Sequence, residues 1–425
     1  MKENLDGEKL CPILAFYVEK TEEVGKVKKA LLVTRVSGFI PQHEMNNVKI
    51  LQEMGYEVHY ATNLNVVVYG KDNSRLEETG IITHQIDFLR KPSIKDIKKA
   101  YKQLKDEMYH GDYDVVHCHM PLSGILARLA ANAVRKETKK NVPVIYTVHG
   151  MHFFRGCPLK NWIMYPVERE LARYTDRLIT INDEDYGRAV RFPIRGKAEK
   201  INGVGLKTER FKEFHKKSWD IYMPDKEETQ TVQNNIRLRY GIPNDHYILV
   251  SVGELAPGKK NMVVIDALAE LKDLKISYLI CGEGQMREEL EKRAAELGVS
   301  DRIVFAGYVT DTPLILSQSD VFVFPSAREG LPVSVMEAMA AGLPVIASDI
   351  RGVRELVVHA KGGYLVHGHA PEDYAVKIRR IFTEKYGKSA IPRNKRRQQM
   401  GEFNMEYVKK YSIEVVDKQM RKIYA

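Results

Sequence analysis

The chain has 425 residues, 44% hydrophobic and 29% charged, the balance of a soluble globular protein, and its length predicts two domains rather than one. Its 66 basic and 56 acidic side chains leave a net charge of +10, which favours an anionic partner: nucleic acid, a phosphorylated substrate or an anionic membrane surface. The cysteines, Cys11, Cys118, Cys157 and Cys281, have neither metal-type nor disulfide-framework spacing, so a reducing cytoplasm suits them.

Residues 1–28 read as a charged, weakly patterned extension. Its apolar run Leu10–Val18 is far shorter than the roughly 18 residues a spanning helix needs, and no small-residue cleavage pattern follows it. Ala30–Thr34 is a buried strand, followed by a loop through Gly38, a helix over Glu44–Met54 closed by Gly55, and a strand at Val58–Ala61. That order opens a doubly wound sheet, although no full G-x-G-x-x-G accompanies it. Lys91–Lys105 places Ile94, Ile97, Tyr101 and Leu104 at helical spacing beneath a lysine-rich face. The pattern fits a solvated amphipathic helix, or one whose basic face also meets anionic lipid.

Val115–His119 is a strand with His117 and His119 on one face; no further ligand is spaced to complete a metal site. Pro143–Val148 is another, and it delivers His149, Gly150 and His152 at its carboxyl end, where substrates meet open α/β sheets. The aromatic stretch from Phe153 to Tyr165, broken by Arg155 and Lys160, divides between core and a surface patch able to meet a membrane interface. Leu178–Ile181 is the last clear strand of this half, which closes near Ile201–Val204.

Residues 208–244 are polar and irregular, with one helix predicted at Thr231–Tyr240, and mark a linker between residues 29–207 and 245–400. The second series runs through strand Tyr247–Val252, a Gly253 loop bearing Lys259 and Lys260, strands Ile276–Cys281 and Ile303–Phe305, and strand Val321–Pro325. Then comes REGLPVSVMEAMAAGLPVIASD, Arg328–Asp349: a loop with Glu329, a helix opened by Pro332 and carrying Glu337, a stop at Gly342 and another strand. Two carboxylates, a glycine and a helix N-terminus therefore meet at the carboxyl end of a sheet. Gly401–Tyr424 is helical in pattern. Arg393–Arg397 reads as a solvated basic run, and the motifs of a nucleic-acid reader are missing.

These features together resemble the retaining glycosyltransferases of family 4. The mark is the E-x7-E pair, Glu329 and Glu337, within EGLPVSVMEAMAAGLPVIAS, supported by YTVHG at 146–150, Asn202-Gly203-Val204, Gly253 with Lys259, and Gly307-Tyr308-Val309. HGMHFFRGCPLKNW resembles the bacterial subgroup that builds capsular, exopolysaccharide or lipid-linked repeat units. The resemblance implies the α/β GT-B fold: two facing Rossmann-like domains with parallel sheets, an interdomain cleft, and a C-terminal helix, 401–425, crossing back to complete the N-terminal domain. It also implies a donor domain at 245–400 and an acceptor domain at 29–207.

By the same resemblance Glu329, with Gly330 and Leu331, holds donor-sugar hydroxyls, and Glu337 the ribose. Lys259 neutralises the diphosphate, Val309 meets the base, Gly38 lets a loop approach the phosphates, and His149 touches the sugar near the reacting centre. His119, His152 and Arg155 are expected on the acceptor side. Many members carry Arg where this chain has Glu254; Lys260, Arg328 or Arg351 could compensate, or Lys259 and the helix N-terminus could suffice. The implied reaction is retaining transfer from a nucleotide diphosphate sugar, such as a UDP sugar, to a glycan or undecaprenyl-diphosphate-linked acceptor. No cofactor or metal is implied, no nucleic acid, and a cytoplasmic location with peripheral contact at the inner membrane face. A nucleotide-sugar 2-epimerase or a non-catalytic binding subunit are the rival readings.

Overall fold

The computed structural model describes residues 27–68, 70, 72–211, 235–386 and 395–425. Most of the N-terminal extension, Cys11, much of the linker and part of the Arg393–Arg397 run lie outside the described residues.

The apolar runs become two all-parallel sheets. The first contains β1 (Lys28–Val33), β2 (Tyr56–Thr62), β3 (Ile82–Gln85), β4 (Val115–His119), β5 (Val144–Val148), β6 (Arg177–Thr180) and β7 (Lys197–Lys200), in the order β3-β2-β1-β4-β5-β6-β7. The second contains β8 (Tyr247–Val252), β9 (Ile276–Cys281), β10 (Ile303–Gly307), β11 (Val321–Phe324), β12 (Val345–Ser348) and β13 (Gly363–Val366), ordered β10-β9-β8-β11-β12-β13. Central strands such as Leu31-Leu32-Val33 and Val321-Phe322-Val323 are fully buried, as parallel strands covered on both faces must be. Strand order reverses between β1 and β4 and between β8 and β11, so each sheet has a switch point at its carboxyl edge, where a crevice forms.

The helices cover both sheets. In the first half they are α1 (Phe39–His43), α2 (Met45–Glu53), α3 (Ile94–Gly111), α4 (Pro121–Thr138), α5 (Met164–Leu171) and α6 (Asp183–Ala189). The helix expected over Glu44–Met54 is α2; the short α1 precedes it, parted from it at Glu44, whose backbone (φ −128°, ψ 8°) leaves the helical region. Ser93 caps α3 through a reciprocal pair with Asp96. Two of its lysines are already paired, Lys99 with Asp87 (2.7 Å) and Lys105 with Glu137 (2.6 Å), which reduces the free basic face.

The second half has α7 (Ile236–Tyr240), α8 (Asn261–Ala269), α9 (Arg287–Glu296), α10 (Thr312–Ser317), α11 (Val333–Ala340), α12 (Val353–Leu356) and α13 (Pro371–Tyr386). Pro332 stands one residue before α11, as its N-cap. The single C-terminal helix expected from Gly401 is two, α14 (Lys395–Tyr407) and α15 (Ile413–Tyr424), parted at extended Ser412. The break lets the chain bond Leu206 on both sides: Leu206 N–H donates to Tyr411 and Ile413 N–H to Leu206. From there α15 crosses to the first domain. Arg421 pairs with Glu53 of α2, Gln419 accepts from Asn202 N–H at 3.0 Å, and the Tyr424 hydroxyl reaches His117 Nδ1 at 2.7 Å.

Candidate active site

The switch point of the second sheet gathers Lys259 and Glu329, both expected at the donor. Gly253 follows β8 and the chain turns through Lys259, while β11 leads through Ser326 to Glu329. Lys259 Nζ lies 2.7 Å from Glu329 Oε1, and Ser326 Oγ donates to the same oxygen at 2.6 Å. The ammonium also stands 5.5 Å over the Phe324 ring. Glu337, on α11, has its carboxyl raised from 4.5 to about 7 by burial, against an opposing pull from Arg210. Leu331 is buried, and Val309 packs half-buried on the core. Lys260 and Arg328 are exposed. Arg351 is not available beside Glu254, because its guanidinium is buried against Asp185.

The first domain meets this loop through its backbone. A Cβ on Gly330 would fall 1.9 Å from the His149 carbonyl oxygen, so only glycine permits the approach. Gly38 is constrained by its own domain, since a Cβ there would lie 1.6 Å from the Val68 oxygen. His149 keeps a quarter of its side chain exposed, 24%, and its ring packs edge-on to Phe39 at 5.1 Å. Burial, then the nearby His43, lowers it to about 3, so the imidazole is neutral at physiological pH.

Behind it is a layer of histidines. His119 Nδ1 lies 3.1 Å from His149 Nε2, and His119, expected on the acceptor side, has no exposed surface. His117 is also buried, bonded to Tyr424 and, at 2.8 Å, to Thr147. Glu44 Oε1 sits 3.7 Å from the His119 nitrogen and 3.5 Å from that of His149, and burial pushes its carboxyl up to about 8. Spacing along β4 offers His119 only His117, yet in space Glu44 and His149 stand beside it, a set that could hold a divalent ion. Among the described residues a second such group, His59, His84 and Glu107, is already joined internally by bonds of 2.8 and 3.0 Å.

Beside His149 opens a cavity of about 180 Å³ lined by Phe39, Met120, Tyr146, His152 and Glu168. Glu168 is held by Arg128 at 2.8 Å, and Arg128 stacks 3.9 Å from the Tyr146 ring. Arg155 is exposed at the rim of this loop, its N–H donating to Glu184. Sequence spacing did not single out Glu44, Glu168, Asp185 or the structural place of Arg351, because each acts on a residue from another segment. The one available signal was a charged residue amid an otherwise apolar pattern.

Two family descriptions match successive parts of the chain: Glycosyltransferase Family 4 over residues 44–202 and Glycosyl transferases group 1 over residues 232–405. EpsD of Bacillus subtilis (strain 168), named as a glycosyltransferase, is 35% identical over 360 residues, covering 84% of this chain and 87% of its own. The chain belongs to the family 4 glycosyltransferases. A second relative of this glycosyltransferase is the UDP-Gal:alpha-D-GlcNAc-diphosphoundecaprenol alpha-1,3-galactosyltransferase of Escherichia coli, 28% identical over 304 residues, 69% of this chain and 72% of that one. Among solved structures, Anabaena Alr3699/HepE in complex with UDP and glucose matches with a TM-score of 0.70 at 16% identity, over 93% of this chain and 99% of that one. At that identity the likeness is one of fold, and the fold of this glycosyltransferase is GT-B, as its sequence predicts. Among the described residues no helix is long and apolar enough to cross a membrane.

Proposed function

We propose that this glycosyltransferase transfers a hexose or N-acetylhexosamine, with retention, from a UDP sugar to a hydroxyl of a lipid-linked diphosphate sugar during polysaccharide assembly. The observation that carries the reading is the junction of Lys259 and Glu329 with the His149 loop across the two domains. In it Glu329 and the Gly330 and Leu331 amides hold the sugar, Glu337 holds the ribose, Val309 meets the base, and Gly38 lies on the phosphate side. The resting ion pair opens as donor enters: Lys259 turns to the diphosphate and Glu329 to sugar hydroxyls. Lys259 then stabilises the charge that grows on the leaving phosphate.

Retention fits a front-face attack in which the departing phosphate oxygen takes the acceptor's proton, with the neutral His149 hydrogen-bonding the sugar. The His149 cavity, with His152 and Glu168 in its lining, is the acceptor side, and exposed Arg155 follows in the same loop. The relative named for a diphosphoundecaprenol-linked acceptor favours a lipid-linked one. Leu159 and Ile163, 88% and 73% exposed beside Lys160, would then rest on the inner membrane face.

The reading includes no metal, because Lys259 supplies the positive charge at the diphosphate. The test is a screen of nucleotide sugars by thermal shift, followed by product analysis with a lipid-linked acceptor after dialysis against chelator. Release of nucleoside diphosphate with an α-linked product from an α-linked donor is the expected result. Absence of any nucleotide-sugar binding refutes the reading. Activity lost to chelator and restored by a divalent cation transfers attention to Glu44, His119 and His149.

A further inference from the structure

We infer that Arg351 is a positioning residue for the transfer: it ties the backbone of Glu329 to the loop that carries His149, and so sets the separation of the two halves of the site. The inference rests on the donor reading above. Arg351 is 7% exposed and its guanidinium has three partners in three segments of the chain. Nε donates to the Glu329 carbonyl at 3.2 Å, Nη2 to the Met151 carbonyl at 2.6 Å, and Nη1 to the Asp185 carboxylate. Phe154 stacks against its face at 4.7 Å.

Asp185 is fully buried, and its second oxygen accepts from Met151 N–H and from Asn182 Nδ2, both at 2.9 Å. Asn182 in turn caps α6 by accepting from Asp185 N–H at 2.9 Å. Met151, two residues beyond His149, therefore has both its N–H and its carbonyl held by one ion pair, whose members come from different domains. The Gly150–Gly330 contact lies directly alongside: a Cβ on Gly150 would be 3.1 Å from Gly330 Cα and 3.3 Å from Arg351 Nη2.

A buried ion pair gives little net stability over an apolar pair of similar volume, because desolvation offsets the attraction. What it supplies here is geometry. The planar fork satisfies three acceptors at fixed angles, whereas a lysine ammonium is a point charge on a flexible stem and cannot reach all three. Near a reacting centre a displacement of about 1 Å can cost about 100-fold in rate.

The test compares the wild-type chain with Arg351→Lys and, from the opposite domain, Asp185→Asn. Three quantities are read: kcat and KM with the donor found by the screen, affinity for UDP alone, and hydrogen exchange across residues 149–155. Both variants should lose about 10- to 100-fold in kcat, while UDP affinity stays at the wild-type value because Glu337 and Val309 lie outside the tie. In Arg351→Lys, amides of residues 149–155 should exchange faster although the substitution is in the other domain. Added to His149→Ala, Arg351→Lys should cost less kcat than it does in the wild-type chain, since part of its effect runs through that ring. Unchanged exchange at 149–155, or kcat losses that simply add, overturns the assignment. The exchange measurement requires no turnover: a wild-type chain that binds no nucleotide sugar defeats the donor reading, while the loop's response still decides whether Arg351 holds it.

Discussion

Lys259 Nζ and Glu329 Oε1 are 2.7 Å apart, so the two residues assigned to different parts of a donor neutralise each other in its absence. On the proposed reading, donor entry separates them, and each then faces a partner of suitable charge or polarity. Lys259→Ala should lower kcat by about 100-fold or more, the usual cost of deleting an electrostatic stabiliser. It leaves Glu329 still bonded to Ser326, so the melting temperature should move little. Steady-state kinetics with the screened donor checks this, and near-normal turnover would remove the clamp role.

Glu337 makes a pH prediction. Burial raises its carboxyl from 4.5 to about 7, and in the proposed ribose role the hydroxyls donate to the ionised form, so binding favours loss of the proton. Affinity for a nucleotide diphosphate sugar should therefore weaken as pH falls through 7, with proton release on binding near that pH. In the unliganded chain the sign is reversed for stability: this group's contribution is full below 4.5 and is lost as pH rises through about 7. Calorimetry in buffers of different ionisation enthalpy measures the proton count. Glu337→Gln should abolish the pH dependence and cost about 10- to 100-fold in affinity, the equivalent of 1.5–3 kcal/mol for hydrogen bonds to a charge.

Tyr424 tests the crossing helix. Its hydroxyl is the partner of buried His117 Nδ1; Tyr424→Phe leaves that nitrogen unsatisfied at a cost of about 1–3 kcal/mol. Tyr424→Ala adds a cavity, for about 3–5 kcal/mol in total. Denaturant midpoints measure both. An unaltered midpoint in Tyr424→Phe would show that His117 finds another donor.

Sedimentation with anionic vesicles tests the apolar patch. Wild type should sediment at low salt and less at high salt. Leu159→Asp combined with Ile163→Asp should stay in solution while retaining turnover on a soluble acceptor analogue. Equal sedimentation of the variant would take the patch out of the membrane reading.

Much of this was legible beforehand because parallel strands and the E-x7-E string are local signals. Leu31 and Val321 announce buried strands by their neighbours, and Glu329 and Glu337 are fixed to one loop and one helix by Pro332 and Gly342. Other features depend on residues far apart in the chain. Ser412 divides a helix whose apolar spacing runs on unbroken, where Leu206 competes for the backbone. Arg351 reads as a spare cation near a phosphate site until Asp185, 166 positions away, is seen to occupy it. His119 reads as a ligand or an acceptor contact on its strand, and only the packing of β5 sets it behind His149.

The reach of α15 to His117 bears on how the protein is made. The central strands of the first sheet emerge early in synthesis, yet the partner of His117 is Tyr424, some 300 positions later. Domains formed first in synthesis ordinarily finish first. Here that polar nitrogen of the first domain stays uncovered until α15 arrives, so the first domain is completed only after the second has been translated.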